Sequence, residues 1–170
     1  MNKSMNFSFK KAEDSPGFLL WQLTNQWQQQ QRKALHALGL THPQFVALAG
    51  ILWLTNVNEK GMSSASKKGM SSVNEKGMSQ IQVSQIQVAE FTHIDKMMMS
   101  DLVKTLLQKN LIERHKQIDD KRAYSLTLTR KGHALTLKAI PVVEGIDAQF
   151  FKKETQGLTK LVAILNKRLT

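Results

Sequence analysis

Between residues 18 and 38 the apolar side chains fall at Phe18, Leu19, Leu20, Leu23, Trp27, Ala34, Leu35 and Leu38, and glutamines at 26 and 28–31 fill the faces between them. Steps of three, four and seven residues are the period of a helix with a narrow apolar stripe, and Gly39 is a natural stop. Thr41-His42-Pro43-Gln44 then spells a capping box, with Pro43 tolerated in the first turn. The helix it opens carries Phe45, Leu48, Ala49, Leu52 and Trp53 on one face. A second box occurs twice, as Ser79-x-x-Gln82 and Ser84-x-x-Gln87. Ser84 is the preferred start, because Val88, Ala89 and Phe91 then follow as buried residues.

Across the turn Thr92-His93-Ile94-Asp95, Asp95 is a suitable cap for a second helix reaching about Asn110. Its inward set is Met98, Met99, Leu102, Val103, Leu106 and Leu107; Lys96, Met97, Ser100, Asp101, Lys104 and Gln108 take the other side. Leu111 to Arg114 reads as a short strand, and Ala123 to Leu128 as another with Tyr124, Leu126 and Leu128 on one face. Between them lies the polar tip His115 to Arg122. A helix-turn-helix followed by strand, charged tip and strand predicts a winged helix. Thr129 caps a further helix that Pro141 is expected to kink or interrupt, and a last helix carries Leu158, Leu161, Val162, Leu165 and Leu169. The fold class is mainly α with a small antiparallel β wing.

Residues 57–80 interrupt this pattern as three octads, VNEKGMSS, ASKKGMSS and VNEKGMSQ, followed by the duplicated pentads QIQVS and QIQVA. Three copies are too few to stack as a solenoid, and Gly, Ser and Lys dominate them. A tandem duplication forming a mobile excursion is the expectation.

Composition narrows the chemistry. With 170 residues the chain has the length of one domain, and no window approaches a membrane span or the apolar core of a secretory signal, so a cytoplasmic protein is expected. The absence of cysteine removes disulfides, thiolate metal sites and thiol nucleophiles. The five histidines, at 36, 42, 93, 115 and 133, form no pair at metal-ligand spacing. No glycine-rich phosphate loop or nucleophile motif is present. No enzyme, metal or cofactor is therefore indicated. A net charge of +11 points to a polyanion, yet it is spread along the chain, so recognition must come from a folded arrangement. Residues 89–138 hold 10 basic and 6 acidic side chains, the densest basic region.

Asp120-Lys121-Arg122 followed by Leu126-Thr127-Leu128-Thr129-Arg130-Lys131-Gly132 resembles the D-x-R…L-x-L-T-x-x-G signature of MarR-type transcriptional regulators. Leu40-Thr41-x-x-Gln44-Phe45-x-x-Leu48 is similar to that family's second-helix start, and Leu106-x-x-Lys109-Asn110-Leu111-Ile112-Glu113-Arg114 to its link from recognition helix to wing. The resemblance covers about residues 18 to 165, apart from the octads. It implies a homodimer on a palindromic double-stranded DNA operator, usually a repressor, released or retuned by a small aromatic or phenolic effector. Residues 1–170 then form one domain: 18–40 and 133–170 are dimerisation helices, 41–56 and 85–132 the winged helix-turn-helix, and 57–84 the repetitive insert. Trp21, Trp27 and Trp53 are expected in core or dimer packing, with an effector pocket as the alternative.

In such a protein the helix from Asp95 enters the major groove with its N-terminal half. Lys96, Met97, Ser100 and Lys104 would face bases and phosphates, while Asp101 accepts from cytosine or pairs with Lys104. At the wing, Arg122 is suited to the narrow minor groove, Lys116 and Lys121 to phosphates, and Asp120 to bracing the hairpin. The competing function is a winged-helix protein-interaction module whose DNA binding is lost or blocked by the insert.

Overall fold

Ser15 opens the first helix, α1 (Pro16–His36), by accepting the Phe18 amide on its hydroxyl at 3.4 Å. The helix ends where Gly39 takes φ +65°, a conformation that costs glycine nothing. The expected capping box then forms: the Thr41 hydroxyl accepts from the Gln44 amide at 3.4 Å, and the Gln44 side chain returns the bond at 3.2 Å. It starts α2 (His42–Met62), which runs past residue 56 and through most of the first octad. A computed structural model describes residues 8–62, 71–73, 79–81, 83–116 and 124–169.

Two further parts of the insert depart from a structureless excursion. Strands β1 (Ser71–Val73) and β2 (Ser79–Ile81) pair antiparallel, with Ser72 opposite Gln80. A two-residue strand, β3 (Val83–Ser84), pairs with the wing, Val83 opposite Leu126 and Ser84 opposite Ser125. Val83 is fully buried there, so the end of the duplicated segment belongs to the winged lobe.

Helix α3 (Gln85–Thr92) starts at Ser84 as expected: its hydroxyl accepts from the Gln87 amide at 3.1 Å and the Gln87 side chain answers at 2.9 Å. His93, at φ 52°, turns the chain into α4 (Lys96–Gln108), capped by Asp95, whose carboxylate accepts from the amides of Met97 and Met98. The core face of α4 is Met99, Val103 and Leu106, all essentially inaccessible. Each such side chain contributes on the order of 1.5–3 kcal/mol through burial, so packing fixes the orientation of this helix. Met98, expected inside, is 52% exposed, because the core selects the 99-103-106 row and leaves position 98 a hundred degrees away. Phe91 is likewise exposed rather than buried, since α3 presents only Val88 and Ala89 inward.

The strands β4 (Ile112–Lys116) and β5 (Tyr124–Leu128) complete a three-stranded antiparallel sheet in the order β3-β5-β4, with Ile112 opposite Leu128 and Lys116 opposite Tyr124. In the central strand β5, Ser125, Leu126 and Thr127 are all buried, so both faces are covered and not only one.

The chain then enters α5 (Arg130–Phe151), capped by the Thr129 hydroxyl, which accepts from the Gly132 amide at 2.9 Å. Pro141 lies inside this helix without interrupting it. It is exposed, so its missing N–H is on the solvent side, while Ala139 and Val143 on either side are buried. After a short 3-10 turn, α6 (Thr155–Leu169) closes the described chain. Among the described residues no helix is long and apolar enough to cross a membrane.

The core joins α1, α2, α3, α4, α5 and the sheet around Leu35, Leu48, Ile51, Met99, Leu106 and Leu126. Two faces have no counterpart in it. Phe18, Leu19, Leu20, Trp21 and Leu23 on α1, and Leu158, Leu161, Val162, Ile164 and Leu165 on α6, are all exposed.

Candidate nucleic-acid interface

The sequence-derived contact residues on α4 share its outer side. Lys96 and Met97 are exposed, Met97 to 78%, and Ser100 is half-exposed one turn further on. Lys104 is exposed too, but its ammonium sits 3.0 Å from the Asp101 carboxylate. Both side chains are about 70% accessible, so this ion pair adds little to stability. Its effect is local: it places a negative charge on the same face. Beside it, Asp95, Met97, Met98, Asp101, Leu102 and Thr105 line a shallow, open depression of mixed acidic and apolar character.

Lys116 is exposed at the end of β4 and marks where the hairpin leaves the sheet. Asp120, Lys121 and Arg122 lie outside the described residues. The base of the wing is braced in other ways. The guanidinium of Arg114 lies 3.8 Å from the centre of the Tyr124 ring, a cation–π contact across two paired strands. The His115 ring meets the Thr127 hydroxyl at 3.1 Å.

Several contacts that hold this surface in place were not apparent from the sequence. Gln85 donates its side-chain amide to the Ser100 hydroxyl at 3.1 Å, tying α3 to the outer face of α4. Lys109 donates to the Gly39 carbonyl at 2.8 Å and to the Gln44 side chain at 3.0 Å, tying the end of α4 to the start of α2. Lys131 donates to the Lys109 carbonyl at 3.0 Å, and the Thr129 hydroxyl to the Asn110 carbonyl at 2.9 Å. The final glycine of the L-x-L-T-x-x-G signature explains itself here: a Cβ on Gly132 would fall on the Leu111 carbonyl oxygen. That oxygen also accepts the Thr129 amide, so the recognition-helix exit and the start of α5 are in backbone contact.

Behind the winged lobe, a polar cluster joins α1, α2 and α5. The Asp147 carboxylate accepts from the Trp27 indole and from the Gln31 side chain, both at 2.8 Å. Gln31 is fully buried and also reaches the Val143 carbonyl at 3.4 Å; its own Oε1 lacks a partner. The Trp27 ring meets His42 edge-on at 4.9 Å and packs near Phe151. Burial holds the His42 imidazole below its usual pKa, and the neighbouring Asp147 charge only partly offsets this. Trp27 is thus a junction residue, whereas Trp21 and Trp53 are about 60% exposed and not part of the core.

Comparison with known proteins agrees with this architecture. The MarR family model matches residues 78–124, from β2 through the wing tip. A Bacillus subtilis protein described as an uncharacterized HTH-type transcriptional regulator, YdcH, is 37% identical over 160 residues, covering 91% of this chain and 94% of its own. Among solved structures, a mutant E. coli MarR complexed with operator DNA aligns with a TM-score of 0.68 at 18% identity, over 96% of this chain and all of that one. The Mycobacterium tuberculosis regulator MOSR in complex with DNA aligns at 0.64 and 18%, covering 91% and 96% of the two chains. Bordetella bronchiseptica BpsR, whose DNA binding is regulated by 6-hydroxynicotinic acid, aligns at 0.63 and 21%, covering 91% and 98%. At these identities the solved structures speak for the fold; the B. subtilis relative, similar over nearly its whole length, speaks for descent. The chain belongs to the MarR family of transcriptional regulators.

Proposed function

We propose that the protein is a cytoplasmic, homodimeric repressor that binds a palindromic double-stranded operator with α4 in the major groove and the wing at the adjacent minor groove. The carrying observation is that α4 is held by its inward row while Lys96, Met97, Ser100 and Lys104 remain on the accessible side. Lys116, Lys121 and Arg122 extend the basic surface along the wing, and Asp120 braces the hairpin. In this reading residues 18–40 and 133–170 form the dimer body, and the unpaired apolar faces of α1 and α6 are covered by a second copy. Residues 41–56 and 85–132 form the reading head, to which β3, at the end of the 57–84 insert, adds a strand. The cluster of Trp27, Gln31, His42 and Asp147 joins the two parts, which is where a small aromatic or phenolic effector would shift their relative position.

The test is titration of palindromic duplexes by fluorescence anisotropy across salt concentrations. Binding should weaken linearly on a log–log plot as counterions are released, and Arg122→Ala should cost about 1–3 kcal/mol if the arginine reaches base edges. Sequence-independent binding, or no dimer by sedimentation, would overturn the proposal.

A further inference from the structure

A serine hydroxyl has one hydrogen and two lone pairs. In Ser100 the hydrogen goes to the Lys96 carbonyl, one turn back, at 3.0 Å. Because a carbonyl only accepts, the hydroxyl has no second hydrogen to give, and the Gln85 group 3.1 Å away must be the donating NH2 of its side chain. Both the hydrogen and one lone pair are therefore committed. What Ser100 still offers on the outer face of α4 is a single lone pair.

An unconstrained serine pairs with either donors or acceptors on base edges and so discriminates little. Building on the DNA-binding reading above, we infer that Gln85 is a specificity-determining positioning residue. By donating to Ser100 it polarises the hydroxyl and strengthens the bond that its hydrogen makes to the Lys96 carbonyl, which keeps the hydroxyl acceptor-only toward the groove, and Ser100 selects a base bearing an exocyclic amino group, adenine N6 or cytosine N4, at the operator position it faces. Guanine N7 and O6, thymine O4 and phosphate oxygens are all acceptors, and each would set lone pair against lone pair.

The arrangement is built rigidly. Gln85 is the first residue of α3, directly after Ser84, whose capping box and pairing with Ser125 fix the backbone there. On the other side, Met99 in the core fixes the phase of Ser100. The amide and hydroxyl thus meet without a large loss of side-chain freedom on DNA binding.

The experiment is selection of duplexes from a randomised library by the full-length protein, its Ser100→Ala, Gln85→Leu and Gln85→Lys variants, followed by sequencing. The parent should enrich a palindrome with one symmetry-related position restricted to adenine or cytosine on one strand. Ser100→Ala should lose that preference by about three- to tenfold, the value of one hydrogen bond, with the rest of the consensus retained. Gln85→Leu should relax the same position toward guanine and thymine, because without the donated bond the hydroxyl holds the Lys96 carbonyl less strongly and turns its hydrogen toward the groove more readily. Gln85→Lys, whose ammonium also only donates, should restore the preference. A parent that enriches no sequence overturns the DNA-binding reading and this inference with it. A parent consensus that neither Ser100→Ala nor Gln85→Leu alters at a shared position, or that both weaken evenly, overturns the inference alone.

Discussion

The indole N–H of Trp27 donates to the Asp147 carboxylate at 2.8 Å, across 120 residues of chain. The Gln31 amide donates to the same oxygen at the same distance, so one carboxylate serves two donors from α1. Removing it leaves the indole without its acceptor and Gln31 with only the longer bond to the Val143 carbonyl, at about 1–3 kcal/mol for a desolvated group left unpaired. Asp147→Ala should therefore destabilise by about 2 kcal/mol in urea denaturation. Asp147→Asn, which keeps an oxygen at the site, should cost less than half as much, and equal losses from the two variants would contradict this account.

His42 adds a pH dependence of defined sign. Burial lowers its folded-state pKa below the ordinary 6.5, so above that value both folded and unfolded chains carry a neutral ring and its contribution is complete. As pH falls below 6.5 the unfolded chain takes up a proton that the folded chain resists, and stability is lost until the folded pKa is passed. Thermal unfolding at pH 7.5 and pH 5 should show a larger acid-side drop for the parent than for His42→Gln. Equal drops would mean that His42 is not linked to folding.

Two glycines of α5 should respond oppositely to alanine. Gly132 touches the Leu111 backbone, which cannot move without opening the contact between the α4 exit and the α5 cap. Its replacement should cost about 3 kcal/mol, at the upper end of overpacking penalties. Gly145, with open space where a Cβ would stand, should gain up to about 1 kcal/mol from the better helix former. Chemical denaturation of the two variants side by side provides the comparison.

Asp101 sets a negative charge on the face assigned to DNA and engages Lys104 at 3.0 Å. Asp101→Asn removes the repulsion from phosphates and releases the lysine. Affinity for duplex DNA should rise about two- to tenfold at low salt and converge on that of the parent as screening increases. Reduced affinity at low salt would instead give Asp101 a direct contact, such as acceptance from a cytosine amino group.

The features read correctly from sequence are those written in adjacent residues. The boxes at Thr41 and Ser84 and the caps at Asp95 and Thr129 each involve side chains within three positions of the amides they satisfy. The phase of α4 was less legible, because Met97, Met98 and Met99 are equally apolar and only the tertiary core decides that Met99 turns inward. Strand β3 is two residues long, and its pairing depends on β5, far along the chain. The Trp27–Asp147 and Gln85–Ser100 bonds have no local pattern at all: the first joins helices 120 residues apart, and the second depends on the angle at which the consecutive helices α3 and α4 pack. For the candidate interface, position on α4 was readable, whereas the hydrogen-bonding state of each side chain required its neighbours.

The strand pair in the insert joins segments eight residues apart in the repeat: Ser71 and Ser72 close the second octad as Ser79 and Gln80 close the third, and Val73 and Ile81 each follow next. A hairpin assembled from one repeated unit is indifferent to the number of copies before it. Gain or loss of a whole octad preserves the reading frame, returns like residues to the pairing positions, and leaves Val83 and Ser84 where the sheet requires them. Under the DNA-binding reading proposed above, a change of length in steps of eight residues alters the insert and keeps the residues assigned to DNA in their places.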